Sequence, residues 1–299
     1  MIIVTWNGMK WIEKCLKSIE ASEYSASVFL VDNDSSDGTP DFIEKKFPKV
    51  RLTRSKENLG FGLANNMAIH QAYSEGFDYF FLLNQDAYLH QDTITQLLHV
   101  AENEEAAIIS PVHLNGDGTQ VDPFFRTFVL GQCEEYLDQS MVGGGKVVFE
   151  SAFIPAAAWF LPRKSIEEIG GFDSLFYHYG EDDNYCQRCI YHQRKIIFTT
   201  EAHVNHDRMA TVGNQVMYNH KLFYRHLLQD AADITKGKGF IIQKLGRQFY
   251  DEIGLWVMYL VTGNWKMLHN FIGDYIKLFG NLPRISKSRT INKQLHGLL

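Results

Sequence analysis

Short apolar runs separated by stretches of helical spacing organise the first ~110 residues of the chain. Ile2-Ile3-Val4-Thr5 reads as a strand, Trp11, Cys15, Leu16 and Ile19 share one face of a helix, and Val28-Phe29-Leu30-Val31 reads as the next strand. Thr39-Pro40 opens a second helix with proline at its start, and Pro48 ends it before Val50-Arg51-Leu52. A third helix, near residues 62–74, leads into Tyr79-Phe80-Phe81-Leu82-Leu83. A run this continuously apolar predicts a central strand covered on both faces.

Strand and helix alternating over short connections predict an α/β fold with a doubly wound, mostly parallel sheet flanked by helices. Ligands in such sheets bind beyond the carboxyl ends of the strands. Polar clusters just after strands are therefore the places to look, and there are four: Trp6-Asn7, residues 32–38, residues 58–66 with Asn58, Gly60, Asn65 and Asn66, and Asn84-Gln85-Asp86.

From residue 115 to 145 the pattern gives way to turn chemistry, with Asn115-Gly116-Asp117-Gly118 and Gly143-Gly144-Gly145 at its ends, and predicts an inserted, mobile loop. Periodicity returns at Val147-Val148-Phe149, at residues 156–161, in a helix opening near Glu181, and in a strand over 195–200. Residues 1–235 read as the catalytic part and 236–299 as an amphipathic helical extension. In the extension, Met267, Leu268, Phe271, Ile272, Tyr275, Ile276, Leu278 and Phe279 fall on one face. The apolar run 253–261 is too short to span a bilayer, which takes ~20 such residues.

Charge sharpens this division. The 299 residues carry a net charge of -6, but residues 236–299 hold ten Lys and Arg against three Asp and Glu, leaving the rest of the chain strongly acidic. An acidic body argues against a nucleic-acid partner, since phosphate backbones need a basic footprint. The basic, apolar tail suits either packing on the body or peripheral contact with the inner face of a cell membrane, with Arg284, Lys287, Arg289 and Lys293 near anionic headgroups. Four cysteines without a framework spacing, and no signal sequence before the first strand, set the expectation of a reducing, cytoplasmic location. Cys186 and Cys189 form a CxxC inside a predicted helix and read as two half-buried thiols rather than a zinc or redox site.

Three carboxylate positions carry candidate chemistry. Asp32 closes the second strand, where it can cap the turn or accept a hydrogen bond from the imide N–H of a uracil or thymine ring. Asp86 stands at the mouth of the sheet, where a carboxylate can hold Mg²⁺ or Mn²⁺ against a diphosphate. Glu181-Asp182-Asp183 sits at a helix start, where the dipole stabilises acids but mutual repulsion raises at least one pKa and favours a proton acceptor. His206, beyond the 195–200 strand, is a lone histidine in a polar segment and can be solvated or face the metal.

Taken in order, these clusters resemble the family 2 glycosyltransferases, and within them the rhamnosyltransferase-like group. Val31-Asp32-Asn33-Asp34-Ser35-Ser36-Asp37-Gly38-Thr39 is similar to the family's V-D-N-x-S-x-D-G-T, and Glu57-Asn58-Leu59-Gly60-Phe61 to its E-N-x-G-F. Asn84-Gln85-Asp86 occupies the D-x-D place, and Gly170-Gly171-Phe172-Asp173 and Glu181-Asp182 resemble the G-G-F-D and E-D motifs. The resemblance covers about residues 1–230. It implies a GT-A fold, a UDP- or dTDP-sugar donor, dTDP-rhamnose among them, and inverting transfer to a saccharide or lipid-linked saccharide in cell-surface polysaccharide synthesis. It also implies that Asp32 reads the base, Asp86 and His206 hold the metal, and Asp182, flanked by Glu181, is the general base, with Thr5, Trp6, Asn7, Asn58, Gly60, Asn65, Asn66, Asn84 and Gln85 lining the donor site. The sequence departs from the family pattern at Asn84, which replaces the first acid of D-x-D, at Asn184, where many relatives carry a second acid, at Asn65, where many have Arg, and at Arg225-His226, which replaces a common Arg-Asn. A sugar-1-phosphate nucleotidyltransferase is the rival enzyme, disfavoured because no glycine-rich run follows Thr5-Trp6-Asn7-Gly8. A catalytically degenerate assembly partner at a membrane is the non-enzymatic rival, and the sequence is compatible with an oligomer.

Overall fold

The apolar runs become strands because alternate side chains find a core on each face of one sheet. The computed structural model describes residues 1–208 and 220–295. The first half alternates β1 (Ile2–Thr5), α1 (Ile12–Glu20), β2 (Phe29–Asp32), α2 (Thr39–Lys46), β3 (Arg51–Arg54), α3 (Gly60–Ser74) and β4 (Tyr79–Asn84). There follow β5 (Ala87–Leu89), α4 (Thr93–Asn103), β6 (Ile108–Asn115), α5 (Pro123–Phe128), α6 (Glu134–Val142), β7 (Val148–Glu150), β8 (Ala158–Pro162), α7 (Arg163–Glu168), α8 (Glu181–Tyr191) and β9 (Ile196–His206). Three helices complete the described chain: α9 (His220–Ala232), α10 (Lys238–Val261) and α11 (Trp265–Asn292).

Among the described residues the strands form one sheet in the order β3-β2-β1-β4-β8-β6-β9-β5, with β7 also paired to β9. Ile2, Phe29, Val31, Phe80, Leu82 and Trp159 point to one face, where Ala64, Ala68 and Ile69 of α3 and Tyr185 of α8 cover them. Ile3, Leu30, Phe81, Leu83 and Phe160 point to the other, under Ile12 and Leu16 of α1 and Leu97 of α4. β3 is the edge next to β2, and its Arg54 pairs with Asp41 and Glu44 of α2, the kind of charged edge that resists pairing with another chain.

Strand order reverses at β1, whose neighbours are β2 on one side and β4 on the other, both parallel to it. β8 then enters antiparallel to β4, pairing Ala158 with Leu83, and β6 and β9 run parallel to each other beyond it. The carboxyl ends of β1, β2, β4 and β9 and the start of β8 therefore lie along one edge of the sheet, with the topological switch point at β1/β4.

Residues 115–145 differ from the loop predicted for them. Asp122 caps α5 by accepting a hydrogen bond from the Phe125 backbone N–H at 2.9 Å, with Pro123 at the first helical position, and the turn glycines around it mask this start signal. Phe125 is buried against the ring of His113, with centroids 4.6 Å apart. β9 runs well past Thr200, because its second half finds partners in both β5 and the end of β6, across an irregularity between Pro111 and Val112. Cys186 and Cys189 are fully buried rather than half-buried, and burial pushes the Cys189 thiol up to about 12.

The chain divides into two compact units near residue 210, so that α9 groups with α10 and α11 rather than with the preceding residues. Within this second unit Arg289 is buried and donates to the backbone carbonyls of Ala231, Asp233 and Lys236. Arg289 is thus a clasp on the α9–α10 connection, and of the packing and headgroup roles that the sequence leaves open, its burial fits packing. The predicted apolar face of α11 is split: Leu268, Tyr275 and Leu278 are buried, whereas Ile276 and Phe279 are exposed. Among the described residues no helix is long and apolar enough to cross a membrane.

Candidate active site

At the switch point one side chain ties two loops together. Gln85, just past β4, accepts hydrogen bonds at Oε1 from the Thr5 hydroxyl at 2.6 Å and the Trp6 backbone N–H at 3.0 Å, and returns one from Nε2 to the Trp6 carbonyl. Thr5 is buried by this arrangement, while the Trp6 indole is left exposed. Asn7 takes a positive φ of 48°, with its backbone N–H on Ser35 Oγ and its Oδ1 accepting from the Ser36 N–H. The loops after β1, β2 and β4 are therefore one hydrogen-bonded rim. Asp37 completes it, accepting from Met9 and Thr39. Burial works to raise the Asp37 carboxyl, but these bonds prevail and hold it below its ordinary value.

Asp32 ends β2 with its carboxylate buried. Oδ2 accepts from the Ser35 N–H at 3.1 Å, and Oδ1 has no hydrogen-bond partner among the described residues. A buried carboxylate oxygen without a donor is costly unless a donor arrives. Asn33 next to it, to which the sequence motif alone gives no role, clamps the start of α3: its Nδ2 donates to Asn58 Oδ1 and the Gly60 carbonyl, and its Oδ1 accepts from the Leu59 N–H. Asn58 Oδ1 also accepts from the Gly60 N–H, so Asn58 is engaged in shaping the turn. At Gly60, φ is +79° and an added Cβ would stand 1.9 Å from the Tyr177 carbonyl oxygen. Gly60→Ala should therefore destabilise the fold by at least ~2 kcal/mol, from left-handed strain plus overpacking, read as a lower urea midpoint.

Asp86 and His206, far apart in sequence, come together through the β5/β9 pairing of Ala87 with His206. Asp86 Oδ1 lies 3.3 Å from His206 Nε2, with the imidazole buried and the carboxylate partly exposed. Behind them Arg208 Nε reaches His206 Nδ1 at 3.2 Å and Asp122 Oδ2 at 3.3 Å. No pattern in the sequence marks Arg208, and Asp122-Pro123 marks only a helix start, since only folding brings α5 beside the end of β9. One carboxylate oxygen and one imidazole nitrogen this close fit a divalent ion that draws its remaining ligands from a diphosphate and water. Among the described residues no group of three or more His, Cys, Asp and Glu stands ready to hold an ion alone.

Asp182 lies in the first turn of α8, half-buried. Burial raises its carboxyl above the ordinary value, against the opposing pull of backbone N–H groups that include Ala156, just before β8. The Asn84 backbone N–H donates to the carbonyl of the adjacent Ala157 at 2.9 Å. Asp182 and the segment leading to Asp86 thus meet the same short stretch of chain at the same end of the sheet. Glu181 differs from its neighbour: it is buried, with Cβ facing Gly62 of α3. Asn184 is also buried, and neither end of its amide has a partner among the described residues.

The segment before α8 is held from two sides. Asn66 grips the backbone of Phe172 with both ends of its amide, at 2.7 and 2.8 Å, and Asn65 caps the carbonyl of Phe61 on its own helix. Arg188, fully buried in α8, donates to the carbonyls of Ile169 and Gly171 at 2.7 and 2.6 Å. A buried arginine on carbonyls is a strong brace. A polar face on α8 offers no hint of it in the sequence.

Residues 1–170 match the family model described as glycosyl transferase family 2. The N-acetylglucosaminyl-diphospho-decaprenol L-rhamnosyltransferase of Mycobacterium tuberculosis is 26% identical over 247 residues, 71% of this chain and 77% of that protein. The dTDP-rhamnosyl transferase RfbF of Shigella flexneri is 26% identical over 191 residues, 63% of this chain and 62% of that protein. Among solved structures, TarS 1-349 of S. aureus in complex with UDP-GlcNAc superposes with a TM-score of 0.58 at 15% identity, covering 98% of this chain and 87% of that one. GalNAc-T7 with UDP, GalNAc and Mn²⁺ gives 0.56 at 13% identity, covering 77% of this chain and 49% of that one.

Proposed function

Because this chain belongs to glycosyl transferase family 2 and has the GT-A fold, we propose that it transfers a sugar, with inversion, from a UDP- or dTDP-linked donor to a saccharide or lipid-linked saccharide acceptor. The observation that carries this reading is the convergence, at one end of the sheet, of a half-buried carboxyl held above its ordinary value, Asp182, and the Asp86–His206 pair. In this reading Asp32 Oδ1 accepts the imide N–H of the base, which would satisfy the buried oxygen that has no partner among the described residues. Asp86 and His206 would hold Mg²⁺ or Mn²⁺, which when bound supplies positive charge to offset that developing on the leaving diphosphate.

Asp182 takes the proton of the acceptor hydroxyl as its oxygen forms the new bond to the anomeric carbon. The bond from that carbon to the diphosphate breaks on the opposite face, and the electron pair leaves with the nucleoside diphosphate. A single base suffices for inversion. Asn58, Asn65 and Asn66 act by shaping the loops around the donor, Gln85 fixes the rim over it, and Glu181 belongs to the support of α8.

A dTDP-rhamnose donor is supported by the names of the two rhamnosyltransferase relatives, and a lipid-linked acceptor by that of the mycobacterial one. Exposed Ile253, Val257, Met258, Leu260 and Val261 on α10, followed by Trp265, supply apolar side chains suited to peripheral contact with a membrane carrying such an acceptor. The deciding experiment is a thermal-shift screen of nucleotide sugars with Mn²⁺ or chelator. One UDP- or dTDP-sugar should raise Tm by a few degrees, more with Mn²⁺ than with chelator. If no nucleotide sugar moves Tm in either condition, the reading fails.

A further inference from the structure

Resting on the assignment of Asp182 as the base, we propose that the loop of residues 175–180 is an acceptor subsite for a neutral sugar ring, with the exposed ring of Tyr179 as its platform. Four non-glycine residues in the described chain have positive φ: Asn7, Asp34, Tyr179 and Gln193. The first three lie in loops at the sheet edge that carries the site. Asn and Asp tolerate that region of backbone space, but a tyrosine at φ 66° is a genuine outlier. Gly180 follows at 95°, so the turn needs two left-handed residues in succession. Glycine at 179 would serve the turn without strain. The aromatic ring there is not a requirement of the backbone, and strain kept against the local preference gathers at ligand sites.

Nor is it a requirement of the core. Phe172 and Phe176 of the same segment are buried, whereas Tyr177 and Tyr179 are 60% and 59% exposed. The loop is nevertheless fixed in place. Phe176 anchors it from below, the Tyr177 hydroxyl donates to the Asn58 carbonyl at 3.0 Å, and the Tyr177 carbonyl abuts Gly60. The Tyr179 ring sits 4.0 Å, centroid to centroid, from that of His178, tilted by 53°. A rigid, exposed aromatic surface thus stands three residues before Asp182 in the chain.

The chemistry of the segment selects the ligand. A tyrosine presents a flat apolar face and a polar tip, which match the C–H face and the hydroxyl edge of a pyranose. Between Asp173 and Gln187 there is no Lys or Arg, so nothing in this stretch is built to bind a phosphate. A sugar resting on the ring would keep a hydroxyl beside the base while the donor occupies the rim made by the loops after β1, β2 and β4.

The test uses methyl glycosides of glucose, galactose, rhamnose and N-acetylglucosamine, titrated by saturation-transfer NMR into the full chain with saturating UDP or dTDP. At least one glycoside should bind the wild type. Tyr179→Ala should weaken it about tenfold, and Tyr179→Phe, which keeps the ring, should restore it. The proposal is overturned if no glycoside binds the wild type, if Tyr179→Ala binds as tightly as wild type, or if Tyr179→Phe is as weak as Tyr179→Ala. Failure of the underlying reading looks different: neither UDP nor dTDP then raises Tm of the wild-type chain.

Discussion

Asp182→Asn is expected to lower turnover by about 10²–10⁴-fold, the usual contribution of a positioned general base. Nucleotide-sugar binding should survive, because the substitution is isosteric and Asp182 faces the acceptor rather than the donor in the proposed arrangement. The pH profile supplies the sharper readout. A base works only when ionised, and burial makes the Asp182 carboxyl bind its proton more tightly than an ordinary aspartate. Activity should therefore fall with acidification at a pH above the ~3.9 typical of Asp. That acid limb should vanish from the residual activity of Asp182→Asn. A variant retaining near-wild-type turnover with matched donor and acceptor would remove Asp182 from the mechanism.

Asp86→Ala is expected to cost about 10²–10³-fold in turnover, comparable to deleting one preorganised group aimed at charge that develops in the transition state. It should also abolish the difference that Mn²⁺ and chelator make to the thermal shift given by the donor. The fold should be little affected. The Asp86 side chain is partly exposed, and its structural contact, the carbonyl that accepts from the Asp207 N–H at 2.8 Å, belongs to the backbone. An Asp86→Ala enzyme with full activity, or one in which Mn²⁺ still strengthens donor binding as in wild type, would contradict the assignment.

What could be read in advance was whatever local sequence enforces. Two-faced burial writes itself into runs such as Tyr79-Phe80-Phe81-Leu82-Leu83, and α1 is announced by Cys15, Leu16 and Ile19 on one face. Asp32 and Asp86 are legible because one ends a strand and the other stands two residues past one, so the sheet itself delivers them to the edge. The pairing of Asp86 with His206 depends instead on β5 folding against the far end of β9, where the sequence pattern stops short at Thr200. The carbonyl-bracing roles of Arg188 and Arg289 are not legible in the sequence, because no periodicity tells a buried arginine on carbonyls from an exposed one. Helix α5 was lost among glycines, although Asp122-Pro123 carries both its cap and its first turn.

The place of β8 in the sheet has a consequence for biosynthesis. This strand, residues 158–162, is inserted between β4 and β6, and His206 closes β9 almost fifty residues later. Nothing emerging from the ribosome before that histidine contains both members of the Asp86–His206 pair proposed to hold the metal, however complete β1 to β4 are by then. Nascent chains truncated ahead of residue 206 should consequently gain no protection from nucleotide against proteolysis, and competence to bind should arise abruptly rather than by degrees as synthesis passes that point.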